Sequence, residues 1–138
     1  MNKRMKAGLL AAGAGVFMVM GISPASAATY TAACHATGVN GSLYSTGWDY
    51  GEEKIPYISL VVSDSAADGH HVAIRLVTYG FAPDDVVYWP WHHYYGGNGG
   101  TGSWETSATT GRDLVGFAIQ AATFEGSTRL NYCEDSAS

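Results

Sequence analysis

The sequence predicts an all-β protein: a small antiparallel β-sandwich of about seven strands, with one disulfide joining the first strand to the last. Three observations carry this. Apolar residues recur at every second position in several segments, turn dipeptides separate those segments, and nothing after residue 27 shows a convincing helical stripe. Alternation with period two buries one face of a strand and leaves the other in solvent. Short strands between frequent turns indicate a sandwich, with a small closed barrel as the alternative.

The first 27 residues read as a secretory leader. Lys3, Arg4 and Lys6 form a positive start, Ala7 to Ile22 an apolar run, and Ala25-Ser26-Ala27 a cleavage site, with the cut after Ala27. The run is shorter than the roughly 20 apolar residues that span a bilayer. Removing 27 of 138 residues leaves 111, enough for one core. The expected product is a single secreted domain, residues 28–138, with no membrane attachment after cleavage.

Within that domain the segments 29–37 and 43–49 are the first strand candidates. Ile58, Leu60 and Val62 share a face in the next. From His71 to Tyr79 the alternation is clear: Val72, Ile74 and Leu76 point one way, and Ala73, Arg75 and Val77 the other. Segments 86–92 and 103–109 are weaker candidates. Val115, Phe117, Ile119 and Ala121 form another stripe, and Leu130 and Tyr132 share a face opposite Asn131 and Cys133. Asn40-Gly41 and Asp68-Gly69 are hairpin dipeptides. Ala82-Pro83-Asp84 and Glu125-Gly126 suit turns, and the glycine-rich stretch 96–102 suits a mobile loop or hairpin tip.

Cys34 and Cys133 are the only cysteines. In an exported chain an even count reads as a disulfide, and two cysteines allow one intramolecular pairing. Cleavage also sharpens the charge. Lys54, Arg75, Arg112 and Arg129 remain against twelve acids, a formal −8. Such a surface repels phosphate backbones and anionic membranes, so nucleic acid is excluded as a partner, and a basic protein is favoured.

The most unusual stretch runs from Val86 to Tyr95, through Tyr88-Trp89-Pro90-Trp91-His92-His93-Tyr94, into the glycine-rich segment and Trp104. Three of the four tryptophans lie between positions 89 and 104. Aromatic side chains supply large contact areas and dominate binding hot spots. Straight alternation puts Trp89, Trp91, His93 and Tyr95 on one face, with Tyr88, Pro90, His92 and Tyr94 on the other. Pro90 cannot donate a ladder hydrogen bond, so it favours an edge strand or a bulge. Trp89, Trp91, His93, Tyr95 and Trp104 are therefore the candidate partner-binding residues. A second aromatic group, Trp48 and Tyr50, could cap the core or stand beside them.

Metal and catalytic readings are weaker. His70-His71 and His92-His93 are adjacent pairs, and adjacent strand residues point to opposite faces, so neither pair chelates one ion easily. A site would need one histidine from each pair plus a carboxylate such as Asp68, Asp84 or Asp85. No metal is expected. The chain has no G-x-S-x-G, no H-E-x-x-H, no phosphate loop and no dinucleotide fingerprint. The doublets Glu52-Glu53 and Asp84-Asp85 read as solvated turn residues. No cofactor and no catalytic residue is assigned.

The leader ending in Ala25-Ser26-Ala27, the early Cys34, the late Cys133 and the aromatic, glycine-rich centre resemble small secreted single-disulfide proteins of high-GC Gram-positive bacteria. Among these the chain is similar to the small adaptor subunit of secreted umbrella toxin particles. That resemblance implies a subunit joining a lectin-like protein to a large toxin-bearing scaffold. The expectation is a non-catalytic secreted protein–protein interaction module. The alternatives are a carbohydrate-binding module taking a glycan, and a secreted enzyme inhibitor or small hydrolase.

Overall fold

Residues 26–138 are described in the computed structural model; the rest of the expected leader, residues 1–25, lies outside them. The alternating segments form nine strands: β1 (Thr29–Ala36), β2 (Val39–Thr46), β3 (Lys54–Asp64), β4 (His71–Gly80), β5 (Val86–Tyr88), β6 (His92–Tyr94), β7 (Thr101–Thr109), β8 (Leu114–Glu125) and β9 (Thr128–Ser136). One antiparallel sheet has the order β1-β2-β3-β7. The other has the order β5-β4-β8-β9, and β6 continues the β5 edge along β4. The fold is the expected all-β sandwich.

Its core lies between the two inner faces. Leu43, Ile58, Leu60 and Val62 come from the first sheet, and Val72, Ile74, Leu76, Phe117, Ile119 and Ala121 from the second. Full burial of an aliphatic side chain of this size contributes about 1.5–3 kcal/mol. Trp48 closes one end. It is buried, meets Phe117 and Tyr30 edge-on at 5.3 and 5.2 Å, and donates its indole N–H to the Glu52 carbonyl at 3.1 Å. Tyr50 stays exposed against Phe81. The pair Trp48 and Tyr50 is thus divided between core and surface.

The disulfide joins Cys34 on β1 to Cys133 on β9. These strands are edges of different sheets, so the bond stitches one seam of the sandwich. Thr31 and Ser138 exchange two backbone hydrogen bonds of 3.1 Å on the same seam.

Five local expectations change. Asp68-Gly69 does not close a hairpin: it lies on the crossover from β3 in one sheet to β4 in the other. Asn40-Gly41 does not turn. The first hairpin closes at Thr37-Gly38, with Gly38 at φ 81°, and Gly41 sits inside β2 opposite Cys34. Glycine is needed there for sheet approach: a Cβ at 41 would stand 2.6 Å from the Ala121 Cβ. Val115 is skipped between the pairs Tyr79–Gly116 and Gly80–Leu114, so Leu114 takes the core position instead. The glycine-rich segment is not a hairpin tip. It crosses from β6 in one sheet to β7 in the other, held by Gly99 N–H to the Asp64 carbonyl and Asp64 N–H to the Gly100 carbonyl. Gly96, Gly100 and Gly102 leave no room for a Cβ beside the Tyr94 ring. Finally, the 86–92 strand breaks at Pro90 into β5 and β6.

Candidate functional site

The break at Pro90 sorts the aromatic segment. Tyr88 pairs with Val77 and His92 with Ile74. Three residues, Trp89, Pro90 and Trp91, therefore span the two positions Leu76 and Arg75. This is a one-residue bulge on an edge strand, as proline favours. An extra residue inverts the facing of everything beyond it. Tyr88, Trp91, His93 and Tyr95 face outward, while Trp89, His92 and Tyr94 face the other sheet. The grouping read by straight alternation is corrected on this point: Trp89 and Trp91 lie on opposite faces.

The inward set belongs to the seam between β6 and β7. Trp89 packs against the main core and donates its indole N–H to Thr78 Oγ1 at 3.1 Å. His92 lies over Trp104, with ring centroids 5.1 Å apart, and Tyr94 and Trp104 also pack against the core. Burial, with His93 adding to it, lowers the His92 pKa from its ordinary 6.5. Trp89 and Trp104 are thus half-buried seam residues, set apart from the outward group.

The outward set covers the exposed face of the second sheet. Ala73, Val77, Ala118 and Ala122 have short side chains on this face, yet all are fully buried. A large ring from the edge strand, that of Trp91, covers Ala73 and Ala122. Trp91 packs on the Ala73–Ala122–Phe124 cluster and meets Phe124 edge-on at 5.2 Å. Arg75 is held between two rings, its guanidinium carbon 4.6 Å from the Tyr88 centroid and 4.4 Å from that of Trp91. Each such contact is worth about 0.5–1 kcal/mol at an exposed site and more where water is excluded.

Behind the rings runs a polar chain. Arg75 donates through Nε and Nη2 to Gln120 Oε1, at 2.9 and 2.7 Å. Gln120 donates to one oxygen of Glu134, and the Tyr79 hydroxyl donates to the other at 3.0 Å. Burial lowers the Arg75 pKa, with Arg129 adding to it and Tyr88 and Glu134 opposing it. Burial, then the bond to Glu134, pushes the Tyr79 phenol up to about 12.

At the other end of the face His71 Nε2 and His93 Nδ1 are 2.9 Å apart. Tyr95 lies 4.4 Å from the His71 ring and is 73% exposed. Burial, then the neighbouring His93, lowers the His71 pKa from 6.5. The fold thus brings together one histidine from each sequence pair. Among the described residues no group of three His, Cys, Asp or Glu side chains is placed to hold a metal ion. The acidic doublets serve turns: Asp85 pairs with Arg112 at 3.2 Å, and Glu52 accepts the Asp49 N–H.

Sequence reasoning thus named three members of the outward surface, Trp91, His93 and Tyr95. It missed Tyr88, His71, Phe124 and above all Arg75. The available signal was a lone positive charge in the otherwise apolar run from Val72 to Val77. No protein-family model, no curated protein and no solved structure matches this chain.

Proposed function

We propose that this chain is a non-catalytic protein–protein interaction module, an adaptor working outside the cytoplasm, that docks its partner on the outward face of β4, β5, β6 and β8. Trp91, His93 and Tyr95 supply the contact, and Tyr88 and Arg75 support it. The leader-like start of the sequence and the Cys34–Cys133 disulfide support an extracellular setting. The observation that carries the reading is the ordered stack of Tyr88, Arg75 and Trp91, with Trp91 seated on the buried Ala73 and Ala122. Tryptophan, tyrosine and arginine are the residues most enriched in binding hot spots. Rings already fixed by stacking lose less side-chain entropy on docking.

A protein partner is favoured over a glycan by the state of the polar groups. Gln120 is engaged at both its oxygen and its nitrogen, and Glu134 at both oxygens. A sugar needs such groups free, whereas an apolar side chain needs only the rings. The test is affinity purification of the tagged, exported chain, followed by calorimetry with the partner recovered. Trp91→Ala with Tyr95→Ala should weaken binding by at least about 2 kcal/mol, roughly thirtyfold. Unchanged affinity in that double variant refutes the surface. Retention on polysaccharide that is lost in the same variant replaces the protein partner with a glycan.

A further inference from the structure

The two seams of the sandwich are closed by different means. Between β1 and β9 a disulfide and a backbone pair do the work. Between β6 and β7 closure rests on side chains: His92 on Trp104, and the Tyr94 ring over glycines. Along the edge from His92 toward Trp89 the closure fails, and a cleft of about 200 Å³ opens between the sheets. Leu60 and Leu76 form its floor. Trp89, Pro90 and His92 line one side, Thr106 and Ser107 the other.

The sequence explains the gap. Pro90 is the extra residue of the bulge, and an added residue bends its strand locally away from regular pairing. Across from it, the inward positions of β7 are Gly102, Trp104, Thr106 and Ala108, so a small threonine stands where a large side chain would fill the space. The floor is the core itself, for Leu60 is fully buried and Leu76 nearly so.

We infer that this cleft takes in one apolar side chain, the size of leucine or phenylalanine, presented by a basic protein partner. The inference rests on the protein-partner reading above and deepens it. Volume selects the occupant. An apolar cavity of about 150 Å³ admits benzene, whereas sites for whole small-molecule ligands run from about 300 Å³ upward. The leucine floor and tryptophan wall exclude a charged group. The formal −8 of residues 28–138 selects basic flanks on the partner. The mouth also adjoins the docking face. Trp89 and Pro90 sit in sequence between Tyr88 and Trp91, so a partner lying on that face reaches the cleft around the Pro90 edge.

The test is methyl and indole NMR on residues 28–138 with N-acetyl-phenylalaninamide and N-acetyl-leucinamide as probes. The expected result is shifts confined to the Leu60 and Leu76 methyls and the Trp89 indole N–H. Thr106→Leu fills the cleft and should weaken probe binding at least tenfold while raising Tm. Should that variant not fold, Overhauser contacts between the phenylalaninamide ring and the Leu60 and Leu76 methyls of the unmodified chain decide the question, their presence supporting the cleft and their absence refuting it. A Lys-Phe-Lys peptide should bind severalfold more tightly than Glu-Phe-Glu, the gap closing with salt. Floor methyls that ignore both amides, or respond equally in Thr106→Leu, overturn the inference. So does a response to N-acetylglucosamine alone. Trp91→Ala with Tyr95→Ala leaves the probe shifts intact, so failure of the docking face and failure of the cleft are read separately.

Discussion

Replacing Cys34 and Cys133 together by alanine should cost about 4 kcal/mol, nearly all of it through the unfolded chain. The bond spans a sequence separation of 99, close to the whole described domain. A closed loop of about 100 residues removes unfolded-state entropy worth about 4.7 kcal/mol in the chain-entropy account. On the native side little changes. The same seam keeps the Thr31–Ser138 backbone pair and the Ala33 N–H bond to Asp135, and the sulfurs belong to half-buried residues. At about 4 °C per kcal/mol for a domain of this size, Tm should fall by roughly 15 °C. Urea melts of the oxidised chain and the double variant provide two readings. Stability should drop, and the m-value should rise, because an unbridged unfolded chain exposes more surface. A loss under about 1.5 kcal/mol with an unchanged m-value would refute the assignment of the bond's effect to the unfolded state.

Three shorter predictions follow from the packing and the titrating groups. Gly41→Ala should destabilise the fold by about 1–3 kcal/mol in urea melts, because its Cβ collides with Ala121 across the core; a neutral result would mean the sheets stand further apart at that point. Burial, with His93 adding to it, lowers the His71 and His92 pKa values, so both imidazoles favour the neutral form in the folded chain. The unfolded chain then binds more protons as pH falls below 6.5, so stability is full above that value and declines toward the lowered folded-state values. Denaturation measured across this interval should show a shallower slope in His71→Gln, and an identical slope would count against the assignment. Spectrophotometric titration should show one phenolate forming only near pH 12, a component missing from Tyr79→Phe.

The strands were readable wherever one face is buried and the other wet. β3 is the clearest case, because Ile58, Leu60 and Val62 are buried in the core while Ser59, Val61 and Ser63 between them are partly exposed. The disulfide followed from counting cysteines. What could not be read locally depends on contacts distant in sequence. Asn40-Gly41 has the composition of a turn, yet Gly41 answers to Ala121, eighty positions away. Val115 and Leu114 compete for one core position, and a bulge against β4 decides between them. The outward surface was half visible: Trp91, His93 and Tyr95 stood out as aromatic, but Arg75 joins them only through the pairing of β4 with β5 and β6.

Deleting Pro90 tests how one residue divides the aromatic segment between surface and core. Without a bulge, a β5 strand running straight on from Tyr88 would turn Trp91, His93 and Tyr95 inward and present His92 and Tyr94 to solvent, because a one-residue shift inverts the pleat. The pairs Tyr88–Val77 and His92–Ile74 leave two β4 positions between them. With Pro90 gone, Trp89 and Trp91 occupy those two positions, opposite Leu76 and Arg75. Trp89 still faces the core, and Trp91 still stacks on Arg75. β5 and β6 become one strand, and the cleft beside Thr106 loses its rim. Partner binding through the outward face should therefore survive, while probe binding in the cleft should fall. Fluorescence quenching resolved with single Trp→Phe variants reports which indole is exposed. An exchange of accessibility between Trp89 and Trp91 on deletion would show that the facing is set by something other than the bulge, and the docking surface would then have to be redrawn around Trp89.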